Sequence, residues 1–578
     1  MTSFSPVHPL GLRARVLLSS VFGPYAQDDE YGSRTVNPME LYHNQVTRVQ
    51  GGFSLRMFHR SFGLMMIQSN IDAPCTLLDF PSLDRFTSEI RDNTYDIVGI
   101  SSILPNIGKV REMCRLVRKH QPGATIVVGG HIAGKKDLSG LIDADYICRG
   151  EGVRWFRRFL GQQEKDPIRH PLVHSGFGAR VFGVTLPLRP GNTAAMLIPS
   201  VGCPVGCNFC STSALFGGKG KAVHFYDTGD KLFEVMENIE RNLQVKSFFV
   251  MDENFLLHRK RALRLLELME ENGKSWALFV FSSARVLQSY TLEELAGLGI
   301  SWVWMGLEGE NNAYEKLRNV DTVDLVKTLQ SHGIRVLGSS IIGLENHTPE
   351  NMDRVIDYAV SHDTDFHQFM LYTPIPGTPL YEEHRKAGTL YSEDVFPPAD
   401  THGQYRFNYR HRHIDGGREE AYLLDAFRRD FEVNGPSLAR LIRTFLKGWK
   451  RYKDHPNRRI RERFAREVRP LRTVYAGAVW AMRKWYAEDR RMREKMDALL
   501  RDLYHAFGFL TRIAAPVTGR YLYRTLKNEE KRLARGWTWE PESVCDKNDA
   551  AVALEAAAST RIVLARPHVS IKRAGFSS

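Results

Sequence analysis

Three cysteines stand within eight residues in the stretch Val201-Gly202-Cys203-Pro204-Val205-Gly206-Cys207-Asn208-Phe209-Cys210. Spaced by four and then three positions, Cys203, Cys207 and Cys210 can place three thiolates on one small inorganic cluster, and Gly202 and Gly206 let the backbone wrap closely around it. A structural zinc site closes with four protein ligands, and His224 is the one nearby candidate for a fourth. A cluster with one open position therefore fits better than a zinc knot or a set of ordinary buried thiols.

The loop follows an apolar run, Met196-Leu197-Ile198-Pro199, which reads as a strand end. Strand-like runs recur at 195–198, 246–251, 276–281, 302–305, 336–342 and 367–371. Between them lie helical patterns at 231–243, at 259–271, from the capping box Thr291-Leu-Glu-Glu onward, at 322–332 and after Thr348-Pro349. Six such units predict an incomplete β/α barrel, whose chemistry gathers at the carboxyl ends of its strands. After the cluster loop those ends carry Asp252-Glu253-Asn254-Phe255, Ser282-Ser283-Ala284-Arg285, Gly306-Leu307-Glu308-Gly309, a turn at Gly343, and Tyr372-Thr373-Pro374-Ile375-Pro376-Gly377-Thr378-Pro379-Leu380-Tyr381. Taken singly, Asp252 and Glu308 also fit rim charges paired with Arg285, and the glycines fit tight turns.

Upstream, short apolar strands at 15–20, 76–80, 96–101, 125–130 and 146–148 alternate with helical patterns at 58–68, 83–91 and 106–120, which predicts an open parallel sheet over roughly 13–160. Such a sheet binds ligands beyond its carboxyl strand ends, here Ser101-Ser102-Ile103-Leu104, Gly129-Gly130-His131 and Gly150-Glu151-Gly152. No GxGxxG is present, so a nicotinamide site is not expected.

The CxxxCxxC loop resembles the signature of the radical S-adenosylmethionine (SAM) enzymes. The strand ends are similar to that family's segments in the expected order, and the tail of the last matches P-x-P-G-T-x-L-Y of the cobalamin-dependent subfamily. The N-terminal sheet is similar to the cobalamin-binding domain that precedes the barrel in that subfamily. The resemblance covers about residues 13–390 and implies an α/β chain. Its parts would be a Rossmann-like cobalamin-binding domain (1–160), a linker (161–190), a partial (β/α)6 radical SAM barrel (191–400), a basic helical domain (401–540) and a disordered tail (541–578).

The resemblance also implies three cofactors. A [4Fe–4S] cluster would sit on Cys203, Cys207 and Cys210. SAM would be held by Phe209, Asp252, Ser283, Arg285, Glu308, Gly343 and Pro374, with a carboxylate of the Asp252-Glu253-Asn254-Phe255 segment meeting its ammonium. Cobalamin would lie against Ser101, Ser102, Leu104, Gly129, Gly130 and Glu151. The implied activity is cleavage of SAM to a 5′-deoxyadenosyl radical and methylation of an unactivated carbon of a hydrophobic metabolite, with an electron donor such as flavodoxin or ferredoxin. Cyclisation or rearrangement is the alternative chemistry, and a non-catalytic corrinoid- or cluster-carrying sensor the alternative class. The chain departs from the pattern in three places: Gly309 replaces a serine, the adenine motif lacks its first glycine and has Asn346 at its acidic position, and the DxHxxG loop that ligates cobalt is missing, leaving His131 as the nearest substitute.

The 578 residues carry a net charge of +13. The excess belongs to 438–536, with 27 Lys/Arg against 10 Asp/Glu, so the remainder is near neutral. Amphipathic helices with Trp and Tyr beside these cations predict a helical cap with a solvated basic face, or else peripheral contact with anionic lipid headgroups. No RNA-binding module is visible, so nucleic acid is not an expected partner. No apolar run reaches the ~18 residues of a membrane span, the N-terminus makes a poor secretory signal, and seven cysteines, three in the one loop and Cys75, Cys114, Cys148 and Cys545 scattered, suit a reducing compartment. The expected location is the cytoplasm, with the membrane surface as the one variation.

Overall fold

The computed structural model describes residues 7–23, 31, 46–186, 193–310, 314–537, 539 and 542–548. Its N-terminal part runs β1 (Val16–Ser20), β2 (Arg56–His59), α1 (Phe62–Asn70), β3 (Cys75–Asp79), α2 (Leu83–Asp92), β4 (Ile97–Ser101), α3 (Ile107–His120), β5 (Thr125–Gly129), β6 (Tyr146–Ile147) and α4 (Gly152–Phe159). Strands β3-β1-β4-β5-β6 form a parallel sheet in that order. β1 and β3 are buried along their whole length, as both-sided burial in a parallel sheet requires. The period of two divides the core: Leu17, Val98, Ile100 and Val128 pack under α2 and α3, while Val16, Leu18, Ile97 and Val127 pack under α1 and α4.

Three sequence expectations are revised here. The helical pattern expected from Phe58 begins at Phe62, because the residues before it pair as β2. The linker expected over 161–190 contains β7 (Gly176–Val181) and β8 (Val184–Leu186), which complete a three-stranded antiparallel sheet with β2. Within the tail expected to be disordered, Val544–Asn548 is a strand, antiparallel to β3 on the outer edge of the first sheet. Residues 549–578 of that tail lie outside the described residues.

The second sheet is β9 (Ala195–Leu197), β12 (Ser247–Val250), β13 (Ala277–Phe281), β14 (Ile300–Glu308), β15 (Arg335–Ile342) and β16 (Phe366–Leu371), all parallel and neighbouring in chain order. The short strands β10 (Ser200–Val201) and β11 (Val223–His224) pair with each other beside the cysteine loop. The connecting helices α5 (Ser211–Leu215), α6 (Gly229–Leu243), α7 (Arg259–Glu271), α8 (Ala284–Leu287), α9 (Leu292–Gly297), α10 (Thr322–Ser331) and α11 (Met352–Ser361) alternate with the strands. The capping box at Thr291 and Glu294 is formed.

The outer face of the sheet packs Phe248, Leu278, Val280 and Val303 against the helices. The alternate residues point inward and are aromatic: Phe279 stacks on Trp302 at 5.5 Å, Phe281 on Trp304 at 5.0 Å and Trp302 on Phe366 at 5.4 Å. Inside, the Trp304 indole N–H donates to Ser339 Oγ (2.8 Å), whose hydroxyl donates to Gln368 (2.6 Å).

After α12 (Pro379–Lys386) come α13 (Glu419–Asn434), α14 (Ser437–Tyr452), α15 (Arg458–Glu467), α16 (Val474–Trp485), α17 (Arg490–Phe507) and α18 (Phe509–Leu533), and then β17 (Val544–Asn548). The basic character of this region is not wholly solvated. Arg459 donates to the carbonyls of Lys274 and Gly297, Arg463 to those of Ala296 and Ile300, and Arg440 pairs with Asp430 while donating to Thr364 O. These guanidinium groups satisfy carbonyls at helix ends and strand starts of the barrel, where a cation is also favoured by the helix dipole. Among the described residues no helix is long and apolar enough to cross a membrane.

Candidate active site between the two sheets

The cysteine loop leaves β10 through Gly202 (φ 84°) and turns again at Gly206 (φ 71°). A side chain at Gly206 would strike the backbone of Lys219, so the loop is closed by the Gly217–Lys221 segment, whose Gly220 N–H donates to Pro204 O (2.8 Å). Cys210 caps α5, its Sγ accepting from Ser213 N (3.4 Å), and Ser213 Oγ ties back to Cys203 O (2.8 Å). All three cysteines are half-buried and free. Burial pushes the Cys203 thiol up to about 11, with Cys210 and Cys207 near enough to add to the rise. Burial also raises Cys207 and Cys210, a rise that the Lys316 cation opposes in both.

Among the described residues no three His, Cys, Asp or Glu side chains converge on a single ion. His224, the candidate fourth zinc ligand, faces the ring of His258 at 4.5 Å. A cubane spreads its protein thiolates over separate irons, so three mutually close cysteines on one glycine-hinged loop fit it without single-ion convergence.

The carboxylates divide differently from the sequence expectation. Asp252 is buried and already committed: Arg261 Nη2 donates to it at 2.7 Å, Asn254 N at 3.2 Å, and Ser200 Oγ also bonds it. It is a structural ion pair under the loop and not a free partner for an ammonium. The next residue, Glu253, is the open one. Its Oε2 is buried without a hydrogen-bond partner, burial together with neighbouring Asp252 pushes its carboxyl up to about 7, and it is near enough to raise Cys203. A buried carboxylate oxygen without a partner, close to the thiols, fits a cationic ligand group.

Arg285, expected at the site, is half-exposed and pairs with Glu315 at 3.1 Å. Neither Asp252 nor Glu308 bonds it. Glu308 takes a left-handed conformation (φ 55°) at the end of β14 and forms an ion pair with Lys316, whose Nζ lies 5.4 Å from the Phe209 ring centroid. Phe209 packs edge-on against Tyr314 (5.2 Å) and Tyr372 (6.2 Å). Ser283 is buried and accepts from Asn254 Nδ2 (3.4 Å). The Gly343 turn (φ 82°) is covered by Phe407, and its N–H donates to His347 Nδ1 (3.0 Å). Pro374 O accepts from Asn408 Nδ2 (2.6 Å). Thr378 caps α12, and Leu380 N donates to Asn208 O (3.0 Å), which joins the sixth strand end to the cysteine loop.

A cavity of about 260 Å³ lies between this loop and the carboxyl ends of the first sheet. Ser101, Gly129, Gly130 and Glu151 line it from one side, and Ile198, Val201, Leu215 and Phe216 from the other. Gly130 (φ 84°) is required: a Cβ there would lie 2.6 Å from Ser102 O. His131 also lines the cavity, its Nε2 3.1 Å from Thr212 Oγ1. Ser102 and Leu104, grouped with this set in the sequence, do not line it. Ser102 Oγ donates to Ile103 O (3.0 Å), and Leu104 packs in the core beneath α3. Glu151 caps α4 by accepting from Arg154 N (3.0 Å) and from Val153 N. The two halves touch directly at Gly377, where a Cβ would come within 2.7 Å of Gly134 O. Small residues around an apolar cavity facing the cysteine loop fit a large planar cofactor.

Sequence reasoning missed Lys316, the freedom of Glu253 and the cavity wall from α1, Met66 and Ile67. Glu253 stood in the quoted strand end and could have been weighed against Asp252. Lys316 carried no signal, standing eight positions beyond Glu308 and outside every quoted strand end.

Residues 197–359 match the model of the Radical SAM superfamily, and residues 55–160 that of the B12 binding domain. The chain is 24% identical over 326 residues to the uncharacterized methyltransferase PH0819 of Pyrococcus horikoshii, covering 50% of this chain and 69% of that protein. It is 24% identical over 366 residues to the bacteriochlorophyllide d C-8(2)-methyltransferase of Chlorobaculum tepidum, covering 58% and 78%. Among solved structures it is similar to the radical SAM methyltransferase TsrM from Kitasatospora setae, with cobalamin and a [4Fe-4S] cluster bound, at 14% identity and a TM-score of 0.49 over 78% of this chain and 98% of that one.

Proposed function

We propose that this chain, which belongs to the radical SAM enzymes that carry a B12-binding domain, methylates a carbon of a hydrophobic small molecule. The observation that carries the reading is the shared cavity: one wall is the strand ends of the B12-binding sheet and the other is the segment flanking Cys203, Cys207 and Cys210. When bound, the cluster and SAM supply a carbon-centred radical, and cobalamin supplies a methyl group in transit.

The residues present supply position and dryness. Glu253 offers its unbonded Oε2 for the ammonium of SAM, and Lys316, held by Glu308 over Phe209, offers the cation for its carboxylate. Asp252, with Arg261 and Ser200, anchors the strand ends beneath them. The hydrophobic substrate class is supported by the inward aromatics Phe279, Phe281, Trp302 and Trp304, all half-buried, which present ring faces and one hydrogen-bonded indole to the barrel interior. A wall of this kind keeps water away from a reactive intermediate and holds a target carbon in contact range, which is catalysis by positioning. An external one-electron donor such as flavodoxin or ferredoxin completes the reading.

The test is anaerobic reconstitution with iron, sulfide and hydroxocobalamin, followed by SAM and dithionite. Stoichiometric cobalamin, with 5′-deoxyadenosine and S-adenosylhomocysteine both formed, is the expected result. Deoxyadenosine without S-adenosylhomocysteine, in the presence of bound cobalamin, would replace methyl transfer by cyclisation or rearrangement, and failure to retain cobalamin would overturn the role given to the cavity.

A further inference from the structure

We propose that the outward face of α18 is a docking surface for an anionic lipid bilayer. The helix buries Thr511, Ala515, Gly519, Leu522 and Leu526 on one side. On the opposite side it exposes large apolar residues: Phe509 (73%), Leu510 (78%), Ile513 (50%), Val517 (61%) and Tyr521 (60%). At 3.6 residues per turn, Phe509, Ile513, Val517 and Tyr521 drift slowly across one arc. Arg520, Arg524, Lys527 and Lys531 continue that same arc toward the C-terminus and are exposed. One stripe is thus apolar for its first three turns and cationic for the rest.

The cations around it have aromatic neighbours. Arg520 lies 5.8 Å from the Trp480 ring centroid, Lys484 lies 5.0 Å and Lys527 4.9 Å from Tyr523, and Arg472 lies 5.6 Å from Phe507. Basic groups beside Trp and Tyr, flanking an exposed apolar stripe, are the composition that inserts shallowly at a headgroup boundary. Scattered exposed apolar residues are ordinary, whereas five on one helical arc need an occupant. Charge decides which. Two copies meeting through this face would set each basic half against its equal or against its own apolar half, while an anionic surface neutralises the cations as the side chains enter. The surface lies outside the site assigned above, so the inference does not rest on the proposed reaction.

The full chain, freshly purified, is to be sedimented with vesicles of equimolar phosphatidylglycerol and phosphatidylcholine, and with phosphatidylcholine alone, at low and high salt. Binding to the anionic vesicles is expected, weakened by salt and by loss of the anionic lipid. The double variant R520A/R524A should bind about 25-fold more weakly, at about five-fold per basic residue near the surface. The exposed-site double variant L510S/I513S should lose binding with an unchanged melting temperature. Wild-type protein that stays in the supernatant, or variants that bind as the wild type does, would overturn the proposal. So would a wild-type dimer in sedimentation velocity that L510S/I513S returns to monomer, because it assigns the stripe to a second copy.

Discussion

Replacing Asp252 and Glu253 in turn separates a structural carboxylate from a ligand-binding one. Asp252 and Arg261 are each about 3% exposed and bonded at 2.7 Å. Asp252→Asn leaves the guanidinium buried without its counter-charge, and breaking one side of such a pair costs about 3–5 kcal/mol. At an unfolding entropy of about 2.1 cal/mol/K per residue, that lowers the melting temperature of a chain of 578 residues by roughly 2–4 °C. Glu253→Gln removes a buried carboxyl whose Oε2 has no partner, so the expected melting temperature is equal or higher. The same change deletes one charge-assisted hydrogen bond to SAM, about 1.5–3 kcal/mol, or roughly 10- to 150-fold in dissociation constant. The assay is a thermal melt of each reconstituted protein beside equilibrium dialysis of labelled SAM. An Asp252→Asn protein that melts with the wild type while losing SAM would refute the assignment, as would Glu253→Gln with full SAM affinity.

Cys203→Ala, Cys207→Ala and Cys210→Ala should each lose bound iron and sulfide and the broad visible charge-transfer absorbance of the reconstituted protein, read by metal analysis and spectrum. Gly130→Val, forced against Ser102 O at a left-handed backbone position, should abolish retention of hydroxocobalamin on gel filtration while the iron content persists. His170 gives a pH dependence. It accepts from Ile198 N at Nε2 (3.0 Å), its Nδ1 bonds Pro171 O (2.8 Å), and burial lowers it to about 4. The unfolded chain therefore binds the proton first, and the stabilisation, full above about pH 6.5, is lost as pH falls toward 4, by about 3 kcal/mol. Urea midpoints of wild type and His170→Gln should differ at pH 7.5 and converge near pH 4.5; parallel midpoints at both pH values would count against it.

The strands of both sheets were legible because full burial in a parallel sheet leaves uninterrupted apolar runs such as Ile97–Ile100 and Phe248–Val250. The cysteine loop was legible because its ligands are local in sequence. What escaped was set by partners far along the chain. Asp252 reads as a site residue until Arg261 is seen beneath it, and Arg285 points away because Glu315 draws it outward. The weak strands β2, β7 and β8 have no alternating pattern of their own and form by pairing with one another. The inward aromatics of the barrel were visible as apolar residues, but only the register of β13 on β14 stacks Phe281 on Trp304.

The strand Val544–Asn548 lies beside Cys75–Asp79, so residues more than four hundred positions apart share hydrogen bonds. The first sheet is thus finished by residues made long after the strand they cover. A nascent chain must hold β3 with a bare outer rim while more than four hundred further residues are made, and an open rim of that kind invites pairing between chains. Shortened proteins ending before Val544 should accordingly aggregate even though the cysteine loop and both halves of the cavity remain intact, and adding the missing strand as a separate peptide should restore solubility.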